Sequence, residues 1–316
     1  MENDRVEPTF SGVRTMLRLP HVPEPASWKA GGVAVVGVPF DLAVTNRPGA
    51  RFGPAAVRDA SFMVADLAHY PTGVDHAALG VDTGDVLLDL HHPYSVPGAI
   101  TARVAEVVAA GCLPLSLGGD HFITLPILRA VAAHHGPVAL VHFDAHTDTW
   151  EPIATDDPPS GVGAGPADLN HGSMFVHALR EGLIDPHRTI QVGIRTFNDD
   201  TRDLTIVDAP TVRRIGTEAV AARIRDHVGS GPTYLTFDID FLDPAYAPGT
   251  GTPVAGGFST GEAQDILAGL GGIDWVGADV VEVSPAYDHG QVTALAGATV
   301  AAEWLALVGA TRTSTG

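Results

Sequence analysis

The sequence predicts an α/β protein built from parallel βαβ units, and three observations predict it. Apolar runs of strand length recur at residues 33–38, 113–117, 138–143, 190–194, 204–207, 234–237 and 276–283. Between them, residues 54–67, 100–110, 124–134, 217–228, 260–270 and 293–308 carry apolar side chains three and four apart, the period of an amphipathic helix. The strand runs are continuously apolar rather than alternating, which is the pattern of a sheet covered by helices on both faces.

The elements follow in order. Residues 1–31 have no periodicity and read as an irregular N-terminal segment. Residues 33–38 and 54–67 form the first strand and helix. Residues 113–117 lead into Gly118-Gly119-Asp120-His121 and then the 124–134 helix. Residues 138–143 lead into Asp144-Ala145-His146-Thr147-Asp148. Residues 156–168, rich in Pro, Gly, Ala and Asp, read as a loop, because the strand-helix rhythm resumes after them. Residues 234–237 lead into Asp238-Ile239-Asp240, and residues 311–316 read as a frayed tail. No composition break divides the chain, so residues 1–316 are expected to form one domain.

Composition narrows the function. Hydrophobic residues make up 45 % of 316, enough for a large core. Against 37 acidic residues stand 18 Lys and Arg, a net charge of −19, which argues against nucleic acid or an anionic membrane as partner. The single cysteine, Cys112, excludes an internal disulfide and reads as a core thiol in a reducing compartment. The acidic start, Met1 to Asp4, lacks a basic-then-apolar leader, and no span of uncharged apolar residues long enough for a membrane is evident. The expectation is a soluble cytoplasmic protein.

Three strand ends carry the chemistry. His121, Asp144, His146, Asp148, Asp238 and Asp240 all fall beyond the carboxyl ends of strands, where ligands gather in open parallel sheets. Residues two apart in extended chain point the same way, so 144, 146 and 148 can converge with 238 and 240. Four carboxylates crowded together raise one another's pKa unless cations neutralise them. Two divalent ions would do so, and a water bridging them can be a hydroxide near neutral pH. Oxygen ligands with two imidazoles suit manganese, with nickel, cobalt, iron or zinc as alternatives. Each cluster alone also fits a structural polar network; three of them together point to a two-metal hydrolase. His171 could shuttle protons or simply cap a helix. Glu282 is an acid embedded in an apolar strand, so it needs a partner, either a cationic substrate group or a core arginine. Asp120 is expected to orient the His121 imidazole. Arg47 and Arg51 lie in a loop that could bind an anion or be structural.

These motifs resemble the ureohydrolase family of arginases and agmatinases. The match runs from Phe10 to about Ala310. It is carried by Gly37-Val38-Pro39-Phe40-Asp41, the loop 46–54, the three clusters above and Gly193-Ile194-Arg195-Thr196. Asp243-Pro244, Pro248-Gly249-Thr250-Gly251-Thr252-Pro253 and Glu282-Val283-Ser284-Pro285-Ala286-Tyr287-Asp288 complete it. The resemblance implies a three-layer α/β/α sandwich with a mostly parallel sheet of about eight strands, two Mn2+ ions, a homotrimer or hexamer, and hydrolysis of a guanidino group to urea and an amine. It implies that His121, Asp144, Asp148 and Asp238 hold one ion. His146, Asp144, Asp238 and Asp240 would hold the other, with Asp144 and Asp238 bridging. Asp148 would pass a proton to the leaving nitrogen, His171 would connect the site to solvent, Glu282 would hold the guanidinium, and Thr252 would touch the same pocket. Agmatine, giving putrescine and urea, is the expected substrate. Asn170 departs from the aspartate that agmatinases usually carry before the histidine, which keeps 4-guanidinobutyrate or a larger guanidino metabolite open. The Asn-rich loop by which arginases hold arginine is not matched. A two-metal phosphoesterase and a non-catalytic guanidine-binding protein are the rival classes.

Overall fold

The computed structural model describes residues 8, 10–64, 69, 72–151 and 170–313. Among the described residues eight strands form one sheet: β1 (Val33–Val38), β2 (Gly80–Asp85), β3 (Leu113–Gly118), β4 (Val138–Phe143), β5 (Ile184–Val192), β6 (Thr205–Val207), β7 (Thr233–Asp238) and β8 (Trp275–Val281). Their order is β2-β1-β3-β8-β7-β4-β5-β6, and every pairing is parallel. Helices α2 (Val96–Ala109), α3 (Thr124–His135) and α4 (Met174–Arg180) pack together on one face. On the other lie α1 (Gly53–Ser61), α5 (Ala209–Ile215), α6 (Thr217–Val228), α7 (Thr260–Ala268) and α8 (Val292–Thr313). Two apolar cores result, one per face, and β1, β3, β4, β7 and β8 are buried on both sides. This is the expected three-layer α/β/α sandwich.

The topology makes the site. From β3 the chain crosses through α3 to β4, and β8 and β7 return later to fill the gap between them. The carboxyl ends of β3, β8, β7 and β4 therefore sit side by side around a switch in strand order, where open sheets form their ligand crevice. All three predicted clusters emerge there.

Several elements differ from expectation. β2 lacks an apolar run because it is an edge strand in which only Asp82 and Thr83 are buried and Val81 alone adds a partly buried apolar contact. The first helix ends at Ser61, short of the 54–67 pattern, whose last residues lie outside the described part. The 156–168 loop also lies outside it. Described residues before β1 hold two 3-10 turns, Met16–Arg18 and Pro25–Ser27. Thr311 to Thr313 continue α8 instead of fraying. Val292–Thr311 is long and apolar enough to cross a bilayer, but most of it is buried in the core, with Trp304 and Leu305 fully enclosed. A helix apolar all round is the mark of such a central position. Cys112 is buried, as expected.

One buried ion pair ties the edge strand to α1. Arg58 donates from Nε to Asp82 Oδ2 at 2.8 Å and from Nη2 to Asp82 Oδ1 at 3.0 Å, with Asp85 on Nη1 at 2.5 Å. Asp82 also accepts the Met16 amide at 2.8 Å. Asp82→Ala leaves Arg58 with Asp85 as its remaining counter-charge but removes the acceptor of Nε and of the Met16 amide, and about 1–3 kcal/mol of unfolding free energy should be lost in guanidinium titrations.

Candidate metal centre

The strand pleat builds the centre in two tiers. The upper tier lies just past the strand ends. His121 Nδ1 lies 3.1 Å from Asp144 Oδ2, 3.0 Å from Asp148 Oδ2 and 3.2 Å from Asp238 Oδ2. His146 Nδ1 lies 3.0 Å from Asp240 Oδ2 and 3.3 Å from Asp144 Oδ1. Asp144 thus turns one oxygen to each imidazole. Asp238 gives Oδ2 to the first group, while its Oδ1 accepts the Asp240 amide at 2.8 Å. All six predicted side chains converge, and all but His146 are buried. Two groups could each hold an ion: Asp144 with His146 and Asp240, and Asp144 with His121, Asp148 and His142.

Electrostatics show what the cage lacks. Burial pushes Asp238 well above the usual carboxylate range, and the Asp240 and Asp144 charges push it further. Burial and Asp144 likewise raise Asp240. Burial would lower His146, but Asp240 and Asp144 outweigh it and push the imidazole up to about 12. His121 follows the same balance and is held well above its ordinary value. Such a set of carboxylates holds its charge only with cations among them. His121 Nδ1 is buried, surrounded by three carboxylate oxygens, and makes no well-aligned hydrogen bond among the described residues. That unsatisfied atom, with an oxygen-rich donor set, fits a divalent metal ion.

The lower tier was not anticipated. Gln191, His142, Thr236 and Asp279 are register partners on β5, β4, β7 and β8, forming a polar row across otherwise apolar strands. His142 Nε2 donates to Asp144 Oδ2 at 2.7 Å, and Gln191 Nε2 donates to His142 Nδ1 at 3.1 Å. Both imidazole nitrogens are therefore engaged, and His142 steadies Asp144. Thr236 meets His121 Nε2 at 2.8 Å. The legible signal was spacing: His142 and Thr236 stand two residues before Asp144 and Asp238, on the same side of the pleat.

Glu282 is not embedded in β8, as the apolar run had suggested. The strand stops at Val281, and Glu282 takes a left-handed φ of 64°, as Asp148 does at 51°. Non-glycine residues in that region cluster at functional sites. Glu282 is fully buried, and Oε1 accepts the His121 amide and His171 Nδ1, both at 2.8 Å. Among the described residues no core arginine meets it, and Oε2 has no hydrogen-bond partner.

His171 does not cap a helix; it lies in a turn before α4, whose N-cap is Ser173. Burial lowers its pKa, but Glu282, Asp148 and Asp120 outweigh burial and push it up to about 9. Its Nε2, however, accepts the Thr45 amide at 3.0 Å, a group that can only donate. The backbone thus favours the neutral Nδ1–H form, and neutralised carboxylates would no longer push the imidazole upward.

A cavity of about 280 Å³ opens over the centre, lined by Thr45, His146, Asp148, Trp150, Asn170, His171, Gly172, Asp238 and Thr252. Thr252 donates to Asp240 Oδ2 at 3.2 Å, and Asn170 Oδ1 accepts the Gly172 amide at 2.7 Å. Asp120 does not touch the His121 ring; it accepts the Ala43 amide at 2.8 Å and so anchors the loop below Thr45. Arg51 pairs with Asp41, and Arg47 stacks over Tyr287, so this loop is structural rather than anion-binding. Arg195 hydrogen-bonds the carbonyls of Asp240, Phe241, Leu242 and Val254, strapping down the turn that presents Asp240.

Comparison with known proteins agrees with this geometry. The Arginase family matches residues 31–306. A protein named agmatinase from Chromobacterium violaceum is 45 % identical over 96 % of this chain and 91 % of its own length. The crystal structure of a hypothetical agmatinase from Burkholderia thailandensis is 48 % identical, covers 98 % and 94 % of the two chains and superposes with a TM-score of 0.88. The proclavaminate amidino hydrolase of Streptomyces clavuligerus is 37 % identical, with 96 % and 99 % coverage and a TM-score of 0.87. With matched residues spanning every strand that builds the cage, this chain belongs to the arginase family.

Proposed function

We propose that the protein is a binuclear manganese amidinohydrolase, a single domain across residues 1–316, that cleaves agmatine to putrescine and urea. Family membership supports the hydrolase class, and the relatives' names support agmatine. The observation that carries the chemistry is a cage of two imidazoles and four carboxylates, with Glu282 Oε2 beside it lacking a partner among the described residues.

Two divalent cations held by His121, Asp144, His146, Asp148, Asp238 and Asp240 would neutralise the cage and lower the pKa of water there, supplying the strong nucleophile that a resonance-stabilised guanidinium requires. Glu282 binds the guanidinium through charge-assisted hydrogen bonds to its free oxygen. Asp148, on the cavity wall, carries a proton to the departing amine, which cannot leave as an anion. His171, held at both nitrogens, relays protons between this wall and Thr45. Thr252 fixes Asp240 from the substrate side. The phosphoesterase reading falls with family membership.

A guanidino acid or larger guanidino metabolite is the second reading, and Asn170 favours it. Its Oδ1 is taken by Gly172, so the polar group it offers beyond that turn is an NH2 donor, better matched to a carboxylate than to an ammonium. The same reading places the enzyme in the cytoplasm as a trimer or hexamer acting on a small molecule, with no nucleic acid or membrane partner. The buried thiol and the charge of −19 are consistent with it.

Metal-free protein reconstituted with Mn2+ should release urea from agmatine with a higher kcat/KM than from 4-guanidinobutyrate, 3-guanidinopropionate or arginine. A guanidino acid turned over best would move the assignment to the second reading. No urea from any guanidine would overturn both.

A further inference from the structure

We propose that Asp279, buried beneath the cage, is a positioning residue that acts through Thr236 to keep the His121 proton on Nε2, leaving Nδ1 bare for a cation. The inference rests on the metal reading above and adds the device that prepares one ligand for it.

The argument is one of donors and acceptors. Asp279 is fully buried, and among the described residues no cationic side chain contacts it. Three hydroxyls point at it instead: Thr236 Oγ1 at 2.6 Å on Oδ1, and Thr124 Oγ1 and Tyr234 OH, each at 2.9 Å, on Oδ2. A carboxylate is acceptor-only, and three converging donors suit that form. Thr236 has one proton, and Asp279 takes it. The hydroxyl oxygen can then only accept from its other close neighbour, His121 Nε2 at 2.8 Å. Nε2 must therefore carry hydrogen, and the neutral ring presents its lone pair at Nδ1. That lone pair faces Asp144, Asp148 and Asp238 at 3.0–3.2 Å, an arrangement stable only with a cation among them. Register locks the geometry, because Thr236 and Asp279 are direct partners on β7 and β8.

Reversing the chain of hydrogen bonds reverses the ligand. In Asp279→Asn, the amide oxygen can keep Thr124 and Tyr234 while its NH2 donates to Thr236. The Thr236 proton then turns to His121 Nε2, and the ring hydrogen moves to Nδ1, where the metal should bind. The variant is nearly isosteric, so packing is preserved. Partners behind a ligating histidine are worth roughly 10–100-fold in metal affinity.

The test is Mn2+ titration of metal-free protein at one fixed pH, followed by electron paramagnetic resonance of the free ion. It uses wild type, Asp279→Asn, Thr236→Val, Thr236→Ser and the Asp279→Asn/Thr236→Val double variant. Asp279→Asn and Thr236→Val should each weaken the site served by His121 by about 10–100-fold. Thr236→Ser, which keeps the hydroxyl, should stay within about threefold of wild type, and the double variant should bind no worse than Thr236→Val alone, because both changes break one chain. Thermal midpoints of the metal-free proteins control for folding, and the serine–valine pair at position 236 retains the test should the amide of the Asp279→Asn variant unsettle the core. Asp279→Asn binding manganese like wild type, or losses that simply multiply in the double variant, would overturn the relay alone. A wild-type protein that binds no manganese would overturn the metal reading and the relay with it.

Discussion

The Asp144→Ala protein is expected to lose both metal ions together, and urea release with them. Asp144 turns its two oxygens to the two groups, Oδ2 toward His121 and Oδ1 toward His146. Burial raises its pKa, yet His142, His121 and His146 outweigh burial and hold the carboxyl well below the usual range, so it stands ionised in the cage. Replacing residues behind a metal ligand already costs roughly 10–100-fold in affinity, and removing a shared ligand should exceed about 100-fold at each ion. Metal content after dialysis, measured by mass spectrometry, should fall from two equivalents toward none, whereas Asp240→Ala should spare the His121 ion. The truncation also leaves the His142 Nε2–H and the His146 amide without their acceptor, which adds about 1–3 kcal/mol of lost stability. An Asp144→Ala protein that keeps two equivalents of manganese would refute the shared role.

The upper tier of this centre could be read from the chain because each ligand directly follows a continuously apolar strand. A buried strand makes its end predictable to within a residue or two, and parallel topology brings all such ends to one side. The lower tier hid inside those same strands. His142, Thr236 and Asp279 interrupt apolar runs, and only their pairing across three strands reveals that they form a row. Pairing follows strand order, which local pattern does not encode. Asp279 moreover follows Ala278 in a run that reads as core, and its hydroxyl partners come from α3 and β7. β2 escaped for a different reason: an edge strand stabilised by the Arg58–Asp82 pair needs no apolar run. Glu282 was legible as an acid out of place, but its departure from the strand into a left-handed turn was not, since Val281 and Val283 on either side are both core residues.

Glu282→Gln is expected to keep both metal ions and lose most of its catalytic efficiency. The amide oxygen can replace Oε1 and still accept the His121 amide and His171 Nδ1–H, so the cage above should hold its shape. The change falls on the second atom. Oε2 is buried without a partner among the described residues, an arrangement that costs free energy unless a donor arrives. A guanidinium brings N–H donors in a planar fork together with the opposite charge. In the Gln variant an NH2 occupies that position, so donor meets donor and the charge attraction is gone. Loss of a buried, hydrogen-bonded charge partner costs about 2–5 kcal/mol, which corresponds to roughly 30- to 5,000-fold in kcat/KM. The split between parameters decides what Glu282 does. Ground-state grip alone would appear as a raised KM, whereas a contact that tightens as the guanidinium carbon becomes tetrahedral would appear in kcat. Because Glu282 also supports His171, a His171→Asn variant with a normal KM beside a Glu282→Gln variant with a raised one would separate substrate binding from proton relay. If Glu282→Gln turned over guanidines within about threefold of wild type, its strained backbone and empty oxygen would serve only to brace the two histidines.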